Sequence, residues 1–271
     1  MRSRVVFENE PVRHLRIAYP SALLRHIIEY YFEICTANTP QAIHYLKGIP
    51  AVNTLLCFQL NATPWASFTE KNNASLHIQT SQLLGHITRT FNSAYAPGTH
   101  LFFVKLKPGV SSWLFRCEAA ELENEQAELA YLLQIPSLED QLRDVASFSE
   151  RVQLFERMYL QYCPLQPRDT YRFGIVQYCI QKYESLQLKD EKGLLYLCKQ
   201  LHVTYASLRR YFLATVGVTP GYAQKTIRFK KALHKYRYSG YNFHYEDFGY
   251  TDFPHFVKDA RALTGCSPLE L

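Results

Sequence analysis

Near its C-terminus the chain writes the same punctuation twice: an apolar-periodic run, a glycine, then a Ser/Thr–Pro pair. Residues 208–220 (LRRYFLATVGVTP) and 256–268 (FVKDARALTGCSP) align without a gap at an offset of 48. Ala214 falls over Ala262, Gly217 over Gly265, Thr219 over Ser267 and Pro220 over Pro268. A glycine just past a helix supplies the left-handed conformation that stops it. A hydroxyl followed by proline then caps and opens the next helix. The repeat constrains this end of the chain to two similar helical units.

The residues upstream of the first copy complete one unit. The run LLYLCKQLHVTYASLRRYF (194–212) reads as a short helix over 193–201, a tight turn at His202–Thr204, and a second helix with Leu208 and Phe212 facing inward. That is a helix-turn-helix pattern, in which the second helix offers its early, outward residues to base edges in the major groove. Arg209 and Arg210 stand there, and arginine is the side chain best suited to bidentate recognition of guanine. A long helix follows over 221–238, with Ala223, Ile227, Phe229, Leu233 and Tyr236 as its packing face. Asp169 or Thr170 caps a further helix carrying Phe173, Val176, Ile180 and Tyr183.

Charge follows the same division. Residues 201–240 hold eight Lys and Arg side chains and no Asp or Glu, whereas residues 118–156 hold ten acidic side chains against two basic ones. A local positive excess of this kind suits phosphate neutralisation, although a solvated helix face would account for the charges alone. At 271 residues, 47% hydrophobic and 20% charged, the chain is long enough for two folded domains. The seven cysteines are scattered without a C-x-x-C, and residues 1–14 are too polar for a secretory signal. Reduced thiols in a cytoplasmic protein are expected.

The runs LRRYFLATVGVTPGYAQKTIRFKKAL and FGYTDFPHFVKDARALTGCSP make the region from about residue 170 to 271 resemble the DNA-binding domain of the AraC/XylS family of transcription regulators. Gly249, Tyr250, Asp252, His255, Phe256, Gly265, Ser267 and Pro268 fill the pattern of that family's second unit. Leu208, Arg210, Phe212 and residues 216–220 fill that of the first. The resemblance implies a bacterial, sequence-specific DNA-binding transcription factor with two helix-turn-helix units joined by one long helix. It places Ala206, Arg209 and Arg210 at the major groove in the first unit, and Pro254, His255 and Lys258 in the second. Thr204, Lys225, Arg228 and Lys230 are expected to meet the DNA backbone or to position the units. The sequence departs from the family in two places. His202 replaces the usual turn glycine, and His244 with Tyr245 replace a small apolar pair in the helix read over 241–249. Tyrosine there is expected to push that helix from its recognition helix. An alternative follows, an interaction protein that keeps the fold but reads DNA weakly or not at all through its second unit.

The front half reads as strands followed by helices. Residues 51–60, 75–80 and 101–106 are strand candidates, with 87–95 and 101–106 forming a hairpin about Pro97-Gly98. Helices are expected from Ser21 through Tyr31, from Ser111-Ser112 through Phe115, and over 125–133 and 137–162. The fold class is therefore an α+β N-terminal domain, an antiparallel sheet followed by helices, and an all-α C-terminal domain. The domains run over 1–163 and 169–271, with a proline-bounded linker at 164–168. The N-terminal half resembles a sensor-type domain found attached to such DNA-binding modules, rather than a sugar-binding cupin. A pocket is read between sheet and helices, near Trp65, Phe103 and Trp113, though core packing is the favoured account of any one of these rings.

His77, His86 and His100 lack the paired spacing of a zinc site, and no phosphate-cradling or nucleophile motif occurs. An enzyme, a cofactor, a metal and a membrane partner are not expected. Double-stranded DNA is the expected partner, joined by a small-molecule effector, a second copy of the chain and RNA polymerase.

Overall fold

The run LFFVKL at residues 101–106 is buried at every position because its sheet is covered on both sides. A computed structural model describes residues 15–36, 43–69, 72–186, 191–239 and 242–271; the polar segment 1–14 lies outside them. Ten strands are described: β1 (Leu15–Ala18), β2 (Ile28–Cys35), β3 (His44–Gly48), β4 (Leu55–Gln59), β5 (Trp65–Thr69), β6 (Asn72–Ile78), β7 (Gln82–Leu84), β8 (Phe91–Tyr95), β9 (His100–Leu106) and β10 (Gln126–Glu128). They form two antiparallel sheets, β1-β2-β9-β4-β7-β10 and β3-β8-β5-β6. Phe102, Val104 and Leu106 of β9 join the core under the N-terminal helices, while Leu101 and Phe103 join the core between the sheets. Strand alternation thus assigns each apolar residue of this run to one of two cores.

The expected hairpin of 87–95 with 101–106 does not form. Strand β8 pairs with β3 and β5, whereas β9 pairs with β2 and β4. The turn at Pro97-Gly98 carries the chain from one sheet to the other. The helix expected from Ser21 is also replaced. Residues 22–27 make two successive turns, closed on the Ser21 and Leu24 carbonyls, and β2 begins at Ile28. Leu24, Ile27, Ile28 and Tyr31 are all fully buried, so the apolar spacing was informative, but turn and strand share the work of a helix face.

Helices α1 (Val110–Leu114), α2 (Leu129–Leu132), α3 (Leu138–Asp144) and α4 (Phe148–Tyr162) complete this half. The helix expected over 125–133 is β10 followed by the single turn of α2. The helix expected over 137–162 is broken at residues 145–147, for two reasons. Ser147 caps α4, its hydroxyl accepting the Glu150 N–H at 3.2 Å and donating to the Glu150 carboxylate. Arg151 reaches back to the carbonyls of Leu142 and Val145, satisfying acceptors that the end of α3 leaves orphaned. The same guanidinium pairs with Glu33 of β2, and both side chains are only 2% exposed.

The C-terminal half follows the sequence reading closely. It comprises α5 (Thr170–Glu184), α6 (Glu191–Gln200), α7 (Tyr205–Val216), α8 (Pro220–Ser239) and α9 (Phe253–Thr264). Asp169 caps α5, accepting the Arg172 N–H at 3.0 Å. Gly217 and Gly265 end α7 and α9 at φ of 84° and 75°, as the repeat requires.

The two halves are in contact. A Cβ added to Gly217 would come within 2.3 Å of the His86 ring and 2.8 Å of the Ala119 carbonyl. One added to Gly109 would meet the Thr215 methyl at 2.6 Å. Gln177 donates to the Pro108 carbonyl at 2.6 Å and Tyr222 to that of Thr88 at 3.2 Å. The end of α7 is therefore seated in a recess of the N-terminal half.

Candidate DNA interface and ligand cavities

Helix α7 turns two faces to different surroundings. Leu208 and Phe212 are fully buried, Phe212 against Tyr183 of α5. Ala206, Arg209 and Arg210 are exposed on the opposite side, with the Arg210 guanidinium 5.7 Å from the Tyr211 ring centre. His202 occupies the turn at φ 53°, the left-handed conformation that glycine would supply without strain. Thr204 is the N-cap of α7, its hydroxyl accepting the Ser207 N–H at 3.1 Å. That hydroxyl is committed to the helix start, so Thr204 is placed to position the unit.

The second unit is built differently. The helix read over 241–249 is reduced, among the described residues, to a 3-10 turn at Tyr245–Phe248 that ends on Gly249 at φ 76°. Aromatic packing replaces the missing turns. Phe243, Tyr250, Phe253 and Tyr236 all lie within 6 Å of the Phe256 ring, centre to centre. Tyr245 is half-buried at the edge of this cluster. Asp252 caps α9 through the His255 N–H at 2.6 Å, and Pro254 lies in the first turn. Pro254 and Lys258 are exposed. His255 is half-buried, its ring 3.3 Å from the Thr251 hydroxyl and edge-on to Tyr250.

On α8, Lys225 and Arg228 converge on Asp259 of α9 at 3.1 and 2.7 Å. The carboxylate is only 8% exposed, so this pair of cations fixes α9 against the connecting helix. Asp259→Asn is expected to destabilise the second unit by about 1.5–3 kcal/mol, the range for hydrogen bonds to charged groups. Faster amide exchange over residues 253–264, with residues 205–216 unchanged, is the expected readout.

Lys230 points elsewhere. It lines the mouth of a cavity of about 260 Å³ between the two sheets, walled by Tyr30, Phe32, Trp65, Phe91, Tyr95 and Phe103. The expected pocket is therefore corrected in position. Trp65 and Phe103 face the space between sheets, and Trp113 packs edge-on against Phe173 instead. A second cavity, of about 570 Å³, lies between the halves and is lined by β2, β9, α5 and α8. Both are lined by Asn53, Lys105 and Lys230. Lys105, buried, bonds Glu29 at 2.9 Å, and Asn53 bonds the same carboxylate at 2.6 Å. Burial would raise the Glu29 pKa, but the Lys105 charge and hydrogen bond outweigh it and hold the carboxyl below its ordinary value. Sequence reasoning missed Lys105 and Glu29 because only the pairing of β2 with β9 brings them together.

The three histidines have separate surroundings. His77 is exposed, His100 lies 3.3 Å from Glu33, and His86 is buried against Gly217. Burial holds the His86 imidazole below its ordinary pKa. Among the described residues no three His, Cys, Asp or Glu side chains are grouped to hold a metal ion, and no helix is long and apolar enough to cross a membrane.

Comparison with known proteins adds the following. Residues 16–128, most of the two-sheet unit, match the family model of a domain of unknown function, DUF6597. No curated protein matches the chain. Among solved structures, ToxT from Vibrio cholerae is similar over 95% of this chain and 97% of its own, at 10% identity and a TM-score of 0.45. A ToxT structure with bound unsaturated fatty acid is similar over 86% and 94%, at 13% identity and a TM-score of 0.38. The AraC-like transcriptional activator CuxR is similar over 82% and 87%, at 13% identity and a TM-score of 0.30. These likenesses are loose.

Proposed function

We infer that the protein is a sequence-specific, DNA-binding transcription regulator of the AraC type, controlled by a ligand or partner at its N-terminal half. The observation that carries this is the outward placement of Arg209 and Arg210 on α7, the second helix of a complete helix-turn-helix. A second such helix, α9, lies beyond the connecting helix α8 with Pro254 and Lys258 exposed. In this reading Ala206, Arg209 and Arg210 read bases, and Lys258 with Pro254 and His255 meets the next stretch of groove. Lys225 and Arg228 position α9 through Asp259, and Thr204 positions α7. The division into a sensing domain over 1–163, a linker at 164–168 and a DNA-binding domain over 169–271 belongs to the same reading.

The single 3-10 turn before α9 favours unequal engagement, with most base discrimination in the first unit. Genomic capture followed by footprinting of the recovered fragments tests this. Protection of two adjacent major-groove segments is expected, the stronger one sensitive to changes at Arg209 and Arg210. Recovery of no enriched fragment, with a protein partner co-purifying instead, would favour the interaction-protein alternative.

A further inference from the structure

The inter-sheet slot and the cleft between the halves are chemically unlike, yet they share a border. The slot is walled by aromatic rings, some already stacked: Phe32 on Phe103 at 4.3 Å and Trp65 on Tyr95 at 5.9 Å between centres. At about 260 Å³ it falls just under the usual range for small-molecule sites, roughly 300–1,000 Å³, so it fits a ring or a short chain. The cleft carries five lysines (105, 107, 230, 231 and 235) against two glutamates, Glu29 and Glu184. Glu29 is already engaged by Lys105 and Asn53. Burial raises the pKa of Glu184, against the pull of Lys107 and Lys231.

A concave surface with this excess of one sign focuses field and concentrates counter-charge. A monocarboxylate would offset one of the surplus cations. A head carrying two or more negative charges on phosphate oxygens would match the cleft. Asn53, Lys105 and Lys230 line both cavities, so a molecule that threads past these three side chains spans the two.

We propose that the effector is a phosphate-bearing conjugate of a small apolar acid, its apolar end in the slot between the sheets and its polyanionic head in the lysine-lined cleft between the halves. The head then touches the two-sheet unit through Lys105 and Lys107, and the connecting helix α8 through Lys230, Lys231 and Lys235. This deepens the regulator reading above and rests on it for biological meaning, but the binding itself is testable without DNA.

The probes are phenylacetyl-coenzyme A, phenylacetate and coenzyme A, titrated into the full chain by calorimetry and by tryptophan fluorescence, with Trp113→Phe leaving Trp65 as the sole reporter. The thioester is expected to bind at least ten times more tightly than phenylacetate or coenzyme A alone. Lys231→Gln with Lys235→Gln, a change of two side chains on the cleft's α8 wall, is expected to weaken the thioester at least tenfold and to leave phenylacetate within twofold. Phe103→Ala is expected to weaken phenylacetate and the thioester together, with circular dichroism confirming the fold. The proposal is overturned if none of the three binds, if phenylacetate equals the thioester, if coenzyme A alone equals it, or if the lysine pair has no effect on it. Mobility shifts run on the same samples separate the two readings. Thioester binding without DNA binding would sink the regulator reading and leave the ligand site standing; the reverse would do the opposite.

Discussion

Arg209→Ala with Arg210→Ala is expected to lower affinity for a specific DNA site by about 30-fold or more, with little loss on a scrambled fragment of equal length. Each bidentate contact to a base is worth about 1–3 kcal/mol of discrimination. Both side chains are exposed, so their removal leaves the core formed by Leu208, Phe212 and Tyr183 intact. The melting temperature should therefore stay within experimental error. Removing two cations also weakens non-specific binding somewhat and flattens its salt dependence, by about one unit of slope for each phosphate that is no longer neutralised. The ratio of specific to non-specific affinity is the decisive quantity. A ratio unchanged in the double variant would mean that α7 does not read bases.

Arg151→Met should have the largest effect on stability. It removes the cation that holds Glu33 and leaves three carbonyl and carboxylate acceptors without their donor, inside the N-terminal core. Breaking a buried pair by deleting one partner costs about 3–5 kcal/mol, which for this chain length corresponds to a fall in melting temperature on the order of 10 °C. The pH dependence carries the signature of the mechanism. Burial pushes the Glu33 pKa up, but the His100 ring 3.3 Å away and the charge of Arg151 together hold it below its ordinary value. A carboxyl depressed in the folded state stabilises fully above its unfolded pKa, about 4.3, and this is lost as pH falls through the folded value. Wild type should therefore lose stability in acid. Without Arg151 the burial effect gains weight and protonation of Glu33 becomes less costly, so the gap between variant and wild type should narrow on acidification. A gap that stays constant from pH 7 to pH 3 would show that the loss is one of packing alone.

The C-terminal half was legible because its signals are local. Gly217 and Gly265 adopt the left-handed conformation that their place in the repeat implied, and Asp169 and Thr204 sit at helix starts. The packing faces of α7 and α8 are the ones that periodicity picked out. The departure from the family pattern at Tyr245 was visible in the sequence, but the structure shows no crowding by its ring, which lies at the cluster's edge. Its outcome, a helix cut to one 3-10 turn and an aromatic cluster around Phe256, depended on five rings far enough apart in sequence to hide their meeting.

The front half was less legible because its pairings are distant. Strand β2 pairs with β9, some seventy residues on, and nothing near Ile28 announces this. Apolar residues at helical spacing from Leu24 to Tyr31 were shared between a turn and a strand, a division that only the covering sheets enforce. The break between α3 and α4 did carry a local sign, Ser147 followed three residues later by Glu150, which the longer apolar period masked. The cavities left little sequence trace beyond Trp65 and Phe103. Lys105 sits in the middle of a hydrophobic strand, and Lys230 among other cations of a basic helix. Their adjacency is a product of how the halves meet.

That meeting limits how the protein can be re-engineered. Gly217 has no side chain where His86 and the Ala119 carbonyl press against the end of α7. A graft of residues 170–271 onto a foreign sensor would bring the socketed end of α7 without its socket. A transplant that carries residues 85–123 along would keep both parts of the joint. The unit of exchange in this protein is thus larger than α7 to α9, and any chimera that ignores the joint should be expected to inherit their side chains but not their placement.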